Sequence, residues 1–209
     1  MTESVLLAVD ELAPPPHKGA PEGRRTLITP AYRDLNVVMH HQRADYGMNG
    51  VRHLASIKAL AQAYDAHSLL DYGCGKQTLI EALRVPWARG YDPGVPGLDG
   101  PPVPADIVVC TDVLEHIEPD CLEAVLDHIR SLTTKVIFAT ISLQPAKKVL
   151  PDGRNTHLIV QPAAWWLWRL LARWEPDTIR CGPGEMMAVL RVAGVSPQST
   201  KDLVNNLRP

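Results

Sequence analysis

Two sets of residues in this 209-residue chain have types and spacings that could do chemistry. The first is Asp71-x-Gly73-x-Gly75, which follows the apolar run Ser68-Leu69-Leu70. Glycines there let the backbone turn sharply and approach a ligand with no Cβ in the way. The second is Asp112, Glu115 and His116 within Thr111-Asp112-Val113-Leu114-Glu115-His116-Ile117. Their i, i+3, i+4 spacing predicts two carboxylates and an imidazole on one helical face. Such a face could hold a divalent cation if one more ligand joined it, and His157 is the best candidate. A cation on the acceptor hydroxyls would lower their pKa. Without metal, His116 is the natural general base, because an imidazole titrates near neutrality.

The elements around these residues read as an α/β domain. Leu69 to Asp71 ends a strand, and the helix Thr78 to Val85 follows the glycine turn. Trp87 to Tyr91 is a second strand ending at Asp92, 21 positions beyond Asp71. In nucleotide-binding α/β domains an acidic residue about 20 positions on takes the ribose hydroxyls, since a carboxylate accepts two hydrogen bonds from a vicinal diol. Only 13 residues, Pro93 to Ala105, separate Asp92 from the next strand. The third strand is therefore expected to be degraded and its helix missing, with Leu98 and its neighbours covering the base. Asp106 to Cys110 is apolar enough for a strand buried on both faces. The helix Pro119 to Leu132 and the strand Lys135 to Ile141 come next. A tryptophan-rich helix, Ala163 to Trp174, precedes an antiparallel hairpin made of Thr178 to Cys181 and Met186 to Val192.

The glycine turn excludes two ligand classes. The fingerprint G-x-G-x-x-G fails at Thr78, and a P-loop fails at Gln77 and Leu70. The pattern acidic-x-Gly-x-Gly instead resembles the cofactor loop of class I S-adenosylmethionine-dependent methyltransferases. LLDYGCGKQT, GYD and DIVVCTDVLEHI follow that family's order, and the likeness covers residues 65 to 193. TDVLEHI is similar to the motif of the subfamily that includes the ubiquinone-pathway O-methyltransferases. The resemblance implies a Rossmann-like sandwich, its sheet mostly parallel with a C-terminal antiparallel hairpin. It implies that Asp71, Gly73, Cys74 and Gly75 surround the methionine part of S-adenosylmethionine and that Tyr91 and Asp92 face the ribose. Thr111, Asp112 and Val113 would line the cofactor near the sulfonium, and His116 would face the substrate, with Asp112 and His116 as the catalytic pair. The set Asp112, Glu115, His116 and His157 resembles the metal site of small-RNA 2′-O-methyltransferases.

The resemblance implies a helical cap over 31–64 and the cofactor domain over 65–195, while composition predicts a flexible leader over 1–30, rich in Pro, Gly and charge, and a polar tail over 196–209. The cap would carry two helices, Tyr32 to Gln42 and Val51 to Tyr64. It would offer His40, His41 and Tyr46 to the acceptor. Arg154 and Asn155 could recognise a phosphate, a carboxylate or sugar hydroxyls, His157 is a further acceptor-side candidate, and Trp165 and Trp166 could stack on a flat acceptor.

A net charge near −2, from 21 basic and 23 acidic residues, offers no global field for a polyanion, so long nucleic acid is not the expected partner. Cys74, Cys110, Cys121 and Cys181 lack metal-binding spacing and read as reduced thiols of a cytoplasmic protein. The expected activity is methyl transfer to a hydroxyl or amine of a small-molecule, sugar or nucleotide-like acceptor. The alternatives are metal-assisted ribose 2′-O-methylation and a catalytically idle cofactor-binding module.

Overall fold

The computed structural model describes residues 26–43 and 45–198. Most of the expected leader and most of the expected tail lie outside them. Among the described residues, a six-stranded sheet runs in the order β2-β1-β3-β4-β6-β5. Its strands are β1 (Leu69–Tyr72), β2 (Ala88–Tyr91), β3 (Ala105–Thr111), β4 (Thr133–Ser142), β5 (Glu175–Cys181) and β6 (Glu185–Arg191). The β1–β2, β1–β3 and β3–β4 pairs are parallel, whereas β6 is antiparallel to both β4 and β5. The sheet has six strands because the short Pro- and Gly-rich stretch after Asp92 folds as turns. Val95 N–H and Leu98 N–H each close on the carbonyl three residues back.

Five α-helices accompany the sheet among the described residues: α1 (Pro30–Gln42), α2 (Leu54–Ala63), α3 (Thr78–Leu83), α4 (Leu122–Leu132) and α5 (Ala163–Leu171). Alternation along the strands splits the core in two. Leu70, Val108, Cys110 and Ile137 pack with α4 and α5 on one face. Leu69, Ile107, Val109 and Phe138 pack with α2 and α3 on the other. Helix α1 belongs to neither layer. Its Tyr32 and Met39 pack with Leu150 and Leu158 from the loop after β4, so it lies over the carboxyl-terminal ends of the parallel strands.

Local chemistry sets the helix ends. Thr29 caps α1 through its hydroxyl, with Pro30 in the first turn where its missing N–H costs nothing. Arg84, in a left-handed conformation, stops α3 short of the expected Val85. The helix expected from Pro119 opens as a 3-10 turn, Pro119–Cys121, and becomes α-helical at Leu122. No helix of the described residues is long and apolar enough to cross a membrane.

Candidate active site

A cavity of about 430 Å³ opens at the carboxyl ends of β1 to β4, beneath α1. This is where ligands bind in open parallel sheets, because the strand-to-helix turns converge there. Asp71, Gly73, Cys74 and Gly75 line one side, with Asp92 and Gly94 beyond them. Asp71 is almost fully buried, and burial, reinforced by the Asp92 charge, pushes its carboxyl up to about 7. Asp92 accepts the Gly75 N–H at 2.9 Å on one oxygen and the Gly94 N–H at 2.8 Å on the other. It therefore ties the glycine turn to the end of β2.

The turn is also clamped from above. Lys76 N–H donates to the Gly47 carbonyl at 3.1 Å. Gly75 has φ +49, and a Cβ there would lie 2.6 Å from the Gly47 oxygen. Glycine at 75 is thus required both by the left-handed backbone and by the approach of the cap.

On the far side, Thr111, Asp112 and Val113 lead from β3 into a 3-10 turn, Leu114–His116. Asp112 has φ 55, which breaks the helical run expected from the sequence. The left-handed residue turns its carboxylate toward Arg52, whose Nη2 lies 3.2 Å from Oδ1, and toward the Thr140 hydroxyl at 3.3 Å. Arg52 also pairs with Glu185 at the start of β6. Asp112 consequently stands apart from the cluster that sequence spacing assigned to it, and the i, i+3, i+4 face is not what assembles that cluster.

Glu115, His116 and His157 do come together. One ligand atom from each lies within 4.8 Å of the others, and the two imidazoles meet edge to face at 4.7 Å. The loop after β4 brings His157 in, held by the Ile159 N–H on the Glu115 carbonyl at 3.0 Å. Glu115 is fully buried and one of its oxygens accepts the Ser142 N–H at 2.7 Å. Its Oε2 has no partner, and neither has His116 Nδ1. Burial raises the Glu115 carboxyl to about 8 and lowers the His116 imidazole to about 4, so at neutral pH both are uncharged. His157 Nδ1 lies 2.6 Å from the Gln144 carbonyl. A carbonyl only accepts, so Nδ1 carries a proton, and in the neutral form of the ring the lone pair is on Nε2.

The remaining sequence candidates divide. His40 and Tyr46 line the cavity, with ring centroids 4.8 Å apart. His41, next in the chain, is exposed and outside the lining. Tyr91 is outside the lining: its carbonyl accepts from Gly73 and Cys74, and its ring packs on Tyr72. Arg154 pairs with Asp152 at 2.7 Å on the surface. Trp166 is fully buried in the α4–α5 core, and Trp165 packs against that core beneath the Arg169 guanidinium. These tryptophans face the core because α5 lies on the sheet, not over the strand ends. Leu98 is also outside the lining.

Sequence reasoning missed Asn36, Arg52, Ser142 and Lys148, which all line the cavity. They come from segments far apart in the chain with no motif of their own. Gly47 and Gly50 were the available signal, since paired glycines before a helix mark a close backbone approach.

No family profile matches the chain, and no curated protein is detectably similar to it. Solved structures are informative. A methyltransferase from Burkholderia thailandensis, 1,6-didemethyltoxoflavin-N1-methyltransferase with bound 1,6-didemethyltoxoflavin and S-adenosylhomocysteine, superposes with a TM-score of 0.56. It shares 17% identity over 91% of this chain and 93% of its own. DhpI bound to SAH gives 0.54, at 19% identity over 78% and 98% of the two chains. The fold is that of the S-adenosylmethionine-dependent methyltransferases. The N-methyltransferase NodS of Bradyrhizobium japonicum, solved with S-adenosylhomocysteine, agrees at 0.50, with 12% identity over 78% and 99%. In this fold the glycine turn after β1 and the acid at the end of β2 occupy the ligand-binding edge of the sheet.

Proposed function

We propose that the protein transfers a methyl group from S-adenosylmethionine to a hydroxyl or amine of a small-molecule or nucleotide-like acceptor. The observation that supports this most is the division of one cavity into two chemistries. Asp71, the glycine turn and Asp92 lie at one end, and Glu115, His116 and His157 lie at the other. The likeness of Thr111 to Ile117 to the ubiquinone-pathway O-methyltransferase motif is part of this reading.

Bound at the glycine-turn end, S-adenosylmethionine would supply an activated methyl group and its sulfur would leave as a neutral thioether, while the acceptor would supply the lone pair and lose a proton. The acceptor's proton passes to His157 Nε2, whose tautomer is set by the Gln144 carbonyl. Because the sulfonium is already activated, holding the acceptor in line supplies much of the rate. Tyr46, from the cap, stands edge-on to both His40 and His116 and confines the acceptor space.

A divalent cation is the second reading. It is favoured by three ligand-type side chains gathered together, with a buried carboxylate oxygen and a buried imidazole nitrogen left unpartnered. Glu115, His116 and His157 would hold it. Bound there, it would acidify the acceptor hydroxyls.

The test is calorimetric titration with S-adenosylhomocysteine, followed by transfer of labelled methyl from S-adenosylmethionine to a panel of hydroxyl and amine acceptors. One-to-one binding with transfer supports the reading. Binding without transfer to any acceptor supports a cofactor-binding module, and no binding overturns the proposal.

A further inference from the structure

Resting on the reading of Asp92 as a ribose ligand, the geometry points to His40 as a second cofactor-binding side chain: its imidazole and the Asp92 carboxylate form a two-sided site for one hydroxyl of a cis-diol. His40 would then serve the cofactor, not the acceptor.

His40 Nε2 lies 4.0 Å from Asp92 Oδ2. That is too far for a direct hydrogen bond, yet one oxygen can sit about 2.8 Å from both atoms across such a gap. The Asp92 oxygens each accept one backbone N–H and each keep a lone-pair direction. A carboxylate can only accept. A neutral imidazole facing it carries its proton on the near nitrogen, so Nε2–H donates. A hydroxyl satisfies both partners at once, giving its proton to Asp92 and accepting from His40. A carbonyl or an ammonium group could satisfy only one.

The ring is held in place for this. His40 is in the last turn of α1, and its side chain is only 13% exposed. It packs edge-on against Tyr46, and a Cβ at Gly47 would come within 2.8 Å of its Cε1. Asn36, one turn earlier on α1, abuts Gly94 beside Asp92. Burial disfavours the charged imidazole, which agrees with a neutral donor facing the carboxylate. Helix α1 therefore spans the site, with Tyr32 at the His116 loop and His40 at the ribose end.

The test compares the whole protein with its His40→Ala, His40→Gln and His41→Ala variants. Each is titrated with S-adenosylhomocysteine and with its 2′-deoxy and 3′-deoxy analogues. His40→Ala should weaken S-adenosylhomocysteine about tenfold, and His41→Ala should change it less than twofold. The unaltered protein should bind at least one deoxy analogue more weakly than the parent ligand. In His40→Ala that gap should narrow at least threefold, because the hydroxyl has lost one of its two partners. His40→Gln should retain part of the gap through its amide N–H, and it carries the comparison if His40→Ala does not fold. Gaps unchanged in both variants, or equal losses in His40→Ala and His41→Ala, would overturn the assignment while leaving the methyltransferase reading standing. Failure of the unaltered protein to bind S-adenosylhomocysteine would overturn both.

Discussion

The Tyr32 hydroxyl donates a 2.6 Å hydrogen bond to the backbone carbonyl of His116. Burial pushes the phenol up to about 12, so it remains a donor throughout the working pH range. Three residues before Tyr32, at the N-cap of α1, Thr29 gives both its N–H and its hydroxyl to the Glu118 carboxylate, each at 2.8 Å. The cap and the acceptor-side loop are thus fastened together at two points.

Tyr32→Phe removes one of those points with little change in volume. It should destabilise the protein by about 1 kcal/mol, the usual net value of one such bond. For a chain of this size that is a fall in Tm of about 2–4 °C. Turnover should fall further than that loss implies, with S-adenosylhomocysteine affinity nearly unchanged. Thermal unfolding and a separate measurement of kcat and KM check this.

Asp92→Ala should weaken S-adenosylhomocysteine by about 1–3 kcal/mol, the scale of hydrogen bonds to a charged group. The variant also loses the two backbone contacts that tie Gly75 and Gly94 to β2. Calorimetry on a variant shown to be folded by circular dichroism decides the matter. Unchanged affinity would remove Asp92 from the cofactor site.

Asp71 predicts a pH effect whose sign is fixed by its environment. Its folded pKa is about 7 against an ordinary value of 3.8, so between those values the folded protein holds more protons than the unfolded chain. Stability of the free protein should therefore fall as pH rises through that window. A cofactor ammonium near Asp71 would favour the carboxylate, so ligand binding near pH 7 should release a proton. Titration in buffers of different ionisation enthalpy measures this release, and Asp71→Asn should abolish it.

Gly75→Ala combines a left-handed backbone with a collision against the Gly47 carbonyl. The backbone term alone is about 1–2 kcal/mol. The collision must also lift the cap from the glycine turn, so S-adenosylhomocysteine affinity should fall at least tenfold. Gly97→Ala is the control: φ there is +90, with nothing within 4 Å of the added carbon. It should cost stability without a comparable loss of ligand. Equal effects of the two changes on affinity would show that the clamp is irrelevant to binding.

His157→Ala should reduce turnover by about 10²–10⁴-fold if Nε2 takes the acceptor's proton, while S-adenosylhomocysteine still binds. Under the metal reading, a chelator should reproduce the loss, and added divalent cation should restore the unaltered protein but not the variant. Activity unchanged by the substitution would exclude His157 from both roles.

How much was legible in the sequence varied with the range of the interactions involved. The strand-turn-helix at Leu69 to Leu83 was readable because glycine, an acidic residue and hydrophobic periodicity act locally. The same holds for the apolar run of β3, the terminal hairpin and the missing third strand, whose place was too short to fill. The mostly parallel sheet with its antiparallel hairpin followed from those pieces. Spacing placed Asp92 just after the second strand, and it lines the cavity because β1 and β2 are parallel and end on the same edge.

Only the tertiary structure decided which side chains share a cavity. Asp112, Glu115 and His116 looked like one helical face, yet a left-handed Asp112 sends its carboxylate to Arg52 and Thr140. His157 joins Glu115 and His116 through a loop that departs from β4 and returns beneath α1. Trp165 and Trp166 have the chemistry of a stacking platform, but α5 packs them toward the sheet. His40 and His41 are identical in type and adjacent in sequence. The turn of α1 puts one against Asp92 and the other in solvent. Local backbone preferences are written residue by residue along the chain. Whether a polar side chain meets a partner depends on how distant segments pack, and pairings across 40 or more residues leave no local trace.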